Sequence, residues 1–106
     1  MDFQKGLKAA LDANRFEWRK HALQRLAERR IMQADVLEVL SAGEMIEDYP
    51  EGTPYPGALF LGWIGNKPLH VVAALDRENS WAYIVTVYEP DLEHFEPDYK
   101  TRRKVR

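Results

Sequence analysis

Apolar side chains in the first forty residues recur every three or four positions, which is the period of an α-helix. The pattern predicts three short helices, and Asp2 is placed to cap the first of them. Gly43 stands where the third helix should end in a left-handed cap. A turn is predicted at Arg15 to Glu17, between the first two helices. The predicted helices span residues 3–14, 18–30 and 33–42.

After Gly43 the period changes to the alternation of apolar and polar positions that is typical of β-strands. A loop rich in proline and glycine separates the first predicted strand from the next, and Pro90 ends the last one. The predicted strands span residues 45–49, 58–64, 67–75 and 81–89. We therefore predict one α+β domain over 1–106, with two or three N-terminal helices (1–42) packed on one face of a three- to four-stranded antiparallel sheet (43–90). A basic C-terminal tail (91–106) follows it.

The dipeptide Gly65-Asn66 predicts a two-residue hairpin turn, and that turn sets the register of the two strands beside it. Ile64 then faces Lys67, and Leu61 lies opposite His70. Both faces of this hairpin are apolar, although an antiparallel sheet normally leaves one face polar. The helices can cover one face. A tail segment, a second copy of the chain in a homodimer or another protein has to cover the second.

The composition is that of a folded, cysteine-free domain: 106 residues, 45% of them hydrophobic and none of them cysteine. These figures exclude a disordered chain, a disulfide framework, a thiol nucleophile and a cysteine-type zinc site. No stretch is apolar enough for a membrane span or for a signal peptide. We expect a cytoplasmic, microbial protein.

The net charge of −2 hides an uneven distribution. Residues 1–34 sum to +4, residues 35–98 to −11 and residues 99–106 to +5. Such a separation favours an anionic partner at the basic parts and a basic protein at the acidic part. The alternative is a solvated surface with a frayed tail.

The second predicted helix carries the strongest candidate cluster, His21, Arg25 and Arg29. These residues are four positions apart, so they step by about 40° around the helix and form one stripe. An imidazole and two guanidinium groups on one stripe suit a phosphate, because arginine presents a rigid fork of donors. The alternative is an ordinary solvated helix face whose arginines pair with glutamates.

Two further candidates lie in the predicted sheet. His70 interrupts an apolar run, which fits either a hydrogen-bonded core histidine or a catalytic group. Tyr88 ends the last strand, where a tyrosine can act as a general acid or pack with its hydroxyl in water. The sequence contains no phosphate-binding glycine loop, no GxSxG, no HExxH and no metal-ligand spacing of its histidines. We therefore expect neither a metal nor another cofactor.

Four segments together resemble a bacterial sequence family, the domain-of-unknown-function family 4258: residues 21–31, 43–50, 68–72 and 86–90. The resemblance runs from about Trp18 to Arg102. Members resemble small toxin-like proteins related to the RelE/ParE group, and some are encoded beside an antitoxin with a zinc-finger and helix-turn-helix domain. The resemblance implies helices packed on one antiparallel sheet.

The activity that the resemblance implies is metal-independent cleavage of messenger RNA by an endoribonuclease, the toxin of a type II toxin–antitoxin system. His21 or His70 would act as base or acid, Arg25 and Arg29 would stabilise developing charge, and Tyr88 would assist as acid. The acidic sheet region departs from the basic surface of many RelE-like toxins. A non-catalytic protein or regulator that binds a host protein or an antitoxin is therefore the alternative. The residues expected to hold the RNA backbone are Arg29, Arg30, Lys100, Arg102, Arg103 and Lys104.

Overall fold

The computed structural model describes residues 2–104, and within them it contains three helices and five strands. The helices are α1 (Phe3–Asp12), α2 (Lys20–Arg29) and α3 (Gln33–Ala42). Asp2 caps α1 as predicted, since its carboxylate accepts a hydrogen bond from the Gln4 backbone N–H at 3.0 Å. Met1, and Val105 and Arg106 at the end of the predicted basic tail, lie outside the described residues.

The strands form one mixed sheet in the order β1-β5-β4-β3-β2. They are β1 (Phe16–Trp18), β2 (Glu44–Tyr49), β3 (Gly57–Ile64), β4 (Lys67–Asp76) and β5 (Trp81–Tyr88). The predicted α+β class is confirmed, but the sheet has a fifth strand, and β1 runs parallel to β5 rather than antiparallel.

The sequence pattern missed β1 because the strand is only three residues long. Residues 15–17 were predicted as a turn, and α2 was predicted to begin at Trp18 instead of Lys20. The Ala82 backbone N–H donates to the Arg15 carbonyl, and the Arg19 N–H donates to the Ile84 carbonyl. These partners are distant in sequence, so a local pattern carries little sign of them.

The prediction of a left-handed cap at Gly43 is wrong, because its φ is −77°. Arg30, at the end of α2, has the left-handed conformation instead, with φ 54°. The glycine at position 43 is explained by a close contact instead. A Cβ there would meet the carbonyl oxygens of Val39 and Leu61, the latter at 2.6 Å. The missing side chain lets the end of α3 pass directly over the sheet.

The predicted hairpin and its register are confirmed: Ile64 pairs with Lys67, and Leu61 pairs with His70. Gly65 has the positive φ, 63°, that the tight turn requires. The three helices cover one face of the sheet and form the main core with it. Its members from the sheet include Phe60, Leu69, Val71, Ala73, Ile84 and Val87.

The opposite face, which we call the open face, is covered in part by residues 91–104, the C-terminal strap. The strap contains no helix or named strand, and within it Phe95 and Arg102 form an isolated β-bridge. The Phe95 ring is buried, with 2% exposure, and stacks edge-on against His70. A tail segment, one of the three expected covers for the second apolar face, therefore lies on it.

Candidate functional site

His70 lies at the centre of the open face and is completely buried. Its Nδ1 is 3.1 Å from the Tyr88 hydroxyl, and its Nε2 is 2.7 Å from the backbone carbonyl of Tyr99 in the strap. A carbonyl can only accept, so Nε2 carries a ring proton, and in the neutral imidazole Nδ1 then accepts the proton of the Tyr88 hydroxyl. Burial lowers the pKa of His70, although the Tyr99 carbonyl opposes that shift. A lowered pKa favours the neutral imidazole, and in that form its Nδ1 is an acceptor aimed at Tyr88.

Tyr88 faces His70 directly across the β4–β5 ladder, and its side chain is half-buried. Burial raises the pKa of Tyr88, while the positive charge of Arg102 nearby opposes the rise. A phenol that donates to a neutral imidazole can pass its proton to that imidazole when a substrate proton arrives. Since His70 is enclosed, Tyr88 is the member of the pair that a substrate can reach.

Glu47 on β2 and Arg102 in the strap form a charged pair next to this histidine–tyrosine pair. The Arg102 guanidinium donates from Nε and from its terminal nitrogen to the two Glu47 carboxylate oxygens, at 2.7 and 3.0 Å. This bidentate contact lowers the pKa of Glu47 and raises that of Arg102. The Tyr49 hydroxyl donates to Glu47 at 2.6 Å, and burial with that bond raises the pKa of Tyr49 to about 12.

The predicted RNA-binding residues of the strap lie beside carboxylates. Lys100 Nζ is 2.9 Å from Glu44, and Arg102 pairs with Glu47. Arg103 donates to Glu96 at 2.9 Å. Lys104 is exposed. The strap therefore contributes less free positive charge to the surface than its sequence implies.

The structure separates the two predicted catalytic pairs. His21 and Arg25 lie exposed on α2, whose apolar side packs into the core on the helix-covered face. His70 and Tyr88 lie on the open face, on the other side of the sheet. Arg25 Nη1 is 3.8 Å from a Glu28 carboxylate oxygen. The four residues do not converge on one cleft.

Arg29 and Arg30, at the end of α2, are exposed as well. They line a small cavity of about 120 Å³ together with Lys67 from the β3–β4 turn, over an apolar floor that includes Ile31 and Ile64. Asp35 and Glu89 also border this cavity. Its charge is therefore mixed, with a small excess of cations.

Sequence reasoning missed Glu47, Tyr49 and the Tyr99 carbonyl as members of the site. A partial signal was available, because Glu47 and Tyr49 are two residues apart on one strand and so point to the same face. Nothing in the local pattern indicates that residues 99–102 fold back over β2 and β4. That contact joins residues 55 positions apart in the case of Glu47 and Arg102.

One group within residues 2–104 has the geometry to hold a metal ion. Asp91, Glu93 and His94 place ligand atoms within 4.8 Å of one another, and all three are exposed. Asp91 is already engaged, because its carboxylate accepts hydrogen bonds from the Glu93 and His94 backbone N–H groups. The group is at the start of the strap, and exposed acidic clusters of this kind are common without a metal.

The open-face site combines a hydrogen-bonded histidine–tyrosine pair (His70 and Tyr88), a cation (Arg102) and a carboxylate (Glu47) within one small α+β domain. Residues 18–89 match a sequence family described as a domain of unknown function, DUF4258. The match covers more than half of the chain, and the protein belongs to this family. The matched range contains His70, Tyr88 and Glu47 and ends before the strap. No curated protein and no solved structure matches the chain.

Among the described residues, every helix is too short or too polar to cross a membrane.

Proposed function

We propose that this protein is an endoribonuclease that cleaves messenger RNA without a metal ion, and that it is the toxin of a type II toxin–antitoxin system. The observation that carries the proposal is the hydrogen bond from the Tyr88 hydroxyl to His70, with the Arg102–Glu47 pair beside it. Metal-independent cleavage of RNA needs a group that moves a proton and a cation that stabilises a negatively charged phosphorane. The open face holds both.

The proposed reaction is an in-line attack of a ribose 2′-oxygen on the adjacent phosphorus. The 2′-hydroxyl proton moves to the Tyr88 oxygen as the Tyr88 proton moves to His70 Nδ1. The bond from the 2′-oxygen to phosphorus forms, and the bond from phosphorus to the 5′-oxygen breaks. The leaving 5′-oxygen takes a proton from water. The His70 proton returns to the Tyr88 oxygen as the Tyr88 hydroxyl releases a proton to solvent, which leaves a 2′,3′-cyclic phosphate and a 5′-hydroxyl end.

The positive charge of Arg102 acts on both His70 and Tyr88. Its guanidinium would bind the phosphate on which negative charge develops in the transition state. In the free protein it binds Glu47, so a substrate phosphate has to replace that carboxylate. The other predicted RNA contacts of the strap, Lys100, Arg103 and Lys104, would follow the RNA backbone. We assign His21, Arg25, Arg29 and Arg30 to binding of RNA or of a partner, because they lie on the other face.

The central test is RNA cleavage by purified protein with a chelator present. Tyr88→Phe should lower the cleavage rate by about 100-fold or more, because it removes the transferred proton. Tyr83→Phe is the matched control, since Tyr83 lies on the same strand and face and does not contact His70. At saturating RNA, His21→Ala and Arg25→Ala should leave the rate unchanged, because neither residue lies at the open-face site. Equal loss in the Tyr83 and Tyr88 variants, or no cleavage by the wild type, would contradict the proposal.

The second candidate is a non-catalytic protein that binds a host protein or an antitoxin, such as a zinc-finger/helix-turn-helix protein. It is favoured by the enclosure of His70 and by the ion pairs of Lys100, Arg102 and Arg103. Large apolar side chains are also exposed, among them Trp63 at 51% and Met32 at 66%. Growth arrest on expression with intact cellular RNA would favour this candidate over the endoribonuclease.

A further inference from the structure

The backbone of Tyr99 has an unusual conformation directly above His70. Its φ is 58°, in the left-handed region that a residue with a bulky side chain seldom adopts. The carbonyl of this same residue accepts the His70 Nε2 proton at 2.7 Å. A strained conformation persists only where its surroundings hold it, so the neighbouring contacts of Tyr99 explain how it is maintained.

The Asp98 carboxylate supplies those contacts. One of its oxygens accepts the backbone N–H groups of Lys100 and Thr101 at 2.9 and 3.0 Å, and the other accepts the Thr101 hydroxyl at 2.8 Å. Two backbone bonds close the same turn: the Tyr99 N–H donates to the Glu96 carbonyl and the Glu96 N–H donates to the Thr101 carbonyl, both at 2.8 Å. The donors that surround Asp98 lower its pKa. These hydrogen bonds fix the backbone before and after the Tyr99 carbonyl, and so fix the direction of that carbonyl.

The direction of this carbonyl decides which nitrogen of His70 is protonated. With Nε2–H committed to Tyr99, Nδ1 has a free lone pair for the Tyr88 proton. Without that acceptor, the ring could also carry its proton on Nδ1, and the Tyr88 hydroxyl would then have to accept instead of donate. His70 would then offer no acceptor for the Tyr88 proton.

We propose that Asp98 is a positioning residue of the open-face site: it holds the turn that aims the Tyr99 carbonyl at His70 and so keeps His70 in the form that accepts from Tyr88. Asp98 is exposed and touches neither His70 nor Tyr88, so it acts through the strap backbone. The effect of Asp98 on RNA cleavage rests on the proposed function, whereas its effect on the protonation of His70 is independent of that function.

The test compares two replacements of Asp98 in the full chain. Asp98→Ala removes the acceptor, whereas Asp98→Asn keeps an oxygen that can accept from both N–H groups and changes only the charge. Asp91→Ala is the matched control, because the Asp91 carboxylate accepts two backbone N–H groups in a similar turn earlier in the strap. Nitrogen NMR of the labelled imidazoles reads the protonation of each ring. The exposed His21 serves as the internal reference, because His94 Nδ1 lies 2.8 Å from the Asp91 carboxylate and changes its surroundings in the control.

We expect a single Nε2-protonated form of His70, with a visible Nε2 proton, in the wild type, in Asp98→Asn and in Asp91→Ala. In Asp98→Ala the Nε2 proton signal should disappear, and the ring nitrogens should move toward averaged positions. RNA cleavage should fall at least tenfold in Asp98→Ala and stay within twofold of wild type in Asp98→Asn.

The outcomes separate this inference from the function. An unchanged His70 spectrum in Asp98→Ala overturns the positioning role, whatever the RNA assay gives. A changed spectrum with unchanged cleavage overturns the part of the inference that concerns catalysis. A wild type that does not cleave RNA, together with the expected spectra, overturns the proposed function and leaves the control of His70 by Asp98 standing.

Discussion

At the scale of single residues, the structure shows how a histidine is accommodated inside an apolar sheet. A buried polar group is costly unless its hydrogen bonds are made, and both nitrogens of His70 have partners. The ordinary expectation for a histidine in such a run, a hydrogen-bonded core group, is therefore met. The same two contacts give the ring a defined protonation state, which is also what a proton acceptor needs. The structural role and the proposed chemical role rest on the same bonds.

Replacing His70 by leucine should lower the free energy of unfolding by about 2 kcal/mol, because the Tyr99 carbonyl and the Tyr88 hydroxyl lose their partner in a buried place. Denaturant unfolding measures the change. His21→Leu is the control, since His21 is exposed on α2, and it should change the stability by less than about 0.5 kcal/mol. Equal effects of the two substitutions would contradict the buried role of His70.

The Glu47–Arg102 pair predicts a dependence of stability on pH. The pKa of Glu47 is lowered in the folded protein, so its contribution is present above the ordinary value of 4.5 and is lost as the pH falls through the folded value. Glu47→Gln should cost about 1 kcal/mol at neutral pH, because Arg102 is partly exposed and water screens the pair. The difference from wild type should shrink below pH 4.5. Asp48→Asn, on the neighbouring exposed residue, is the matched control.

At the scale of elements, close approaches between helix and strand decide how α3 lies on the sheet. Gly43 allows the end of α3 to cross the backbone of β3 at Leu61. Gly62 allows Val39 of α3 to sit directly on β3, because a Cβ there would lie 2.5 Å from a Val39 methyl group. Both glycines are explained by contact between elements, and neither needs a positive φ.

Gly62→Ala should destabilise the fold by about 1–3 kcal/mol, because the new methyl group overpacks the contact between β3 and α3. Thermal unfolding measures the loss. The double variant Gly62→Ala with Val39→Ala removes the opposing methyl groups, so it should be more stable than the sum of the two single changes predicts. Simple additivity would show that the two residues do not meet.

At the scale of the whole molecule, the strap brings together charges that the sequence keeps apart. The segment 99–106 sums to +5 and the segment 35–98 to −11, and the fold pairs cations of residues 99–104 with carboxylates of residues 35–98. Lys100 reaches Glu44 and Arg102 reaches Glu47, while Phe95 fills the space over His70. The strap thus covers the second apolar face with one buried ring and a set of partly exposed ion pairs.

Removal of residues 91–106 should expose an apolar face that includes Leu59 and Leu61. We expect the shortened chain to bind an apolar dye and to self-associate, whereas the full chain stays monomeric, because the strap occupies the surface that a second copy would need. Analytical ultracentrifugation of both chains measures this. A full-length dimer, or a monomeric shortened chain without dye binding, would contradict the role given to the strap.

The local sequence pattern was enough to predict most helices and strands. Helices and strands differ in the period of their apolar residues, and turns are marked by glycine, proline and asparagine. The hairpin at Gly65 is the clearest example: one dipeptide predicted that Ile64 faces Lys67 and that Leu61 faces His70, and both pairs are present. The pattern failed at β1 and at Gly43. In both cases the conformation depends on residues far away in the sequence, which periodicity does not describe.

By itself, then, the amino-acid sequence determined the α+β class, the register of the central hairpin and the presence of two apolar sheet faces, because each follows from period and turn chemistry within a short segment. Only the tertiary structure decided that the strap covers the second face, that His21 and His70 lie on opposite sides of the sheet, and that Tyr88 and Tyr99 orient the His70 ring. Those facts depend on contacts across the chain, where burial and hydrogen bonding select one arrangement among several that the local pattern allows.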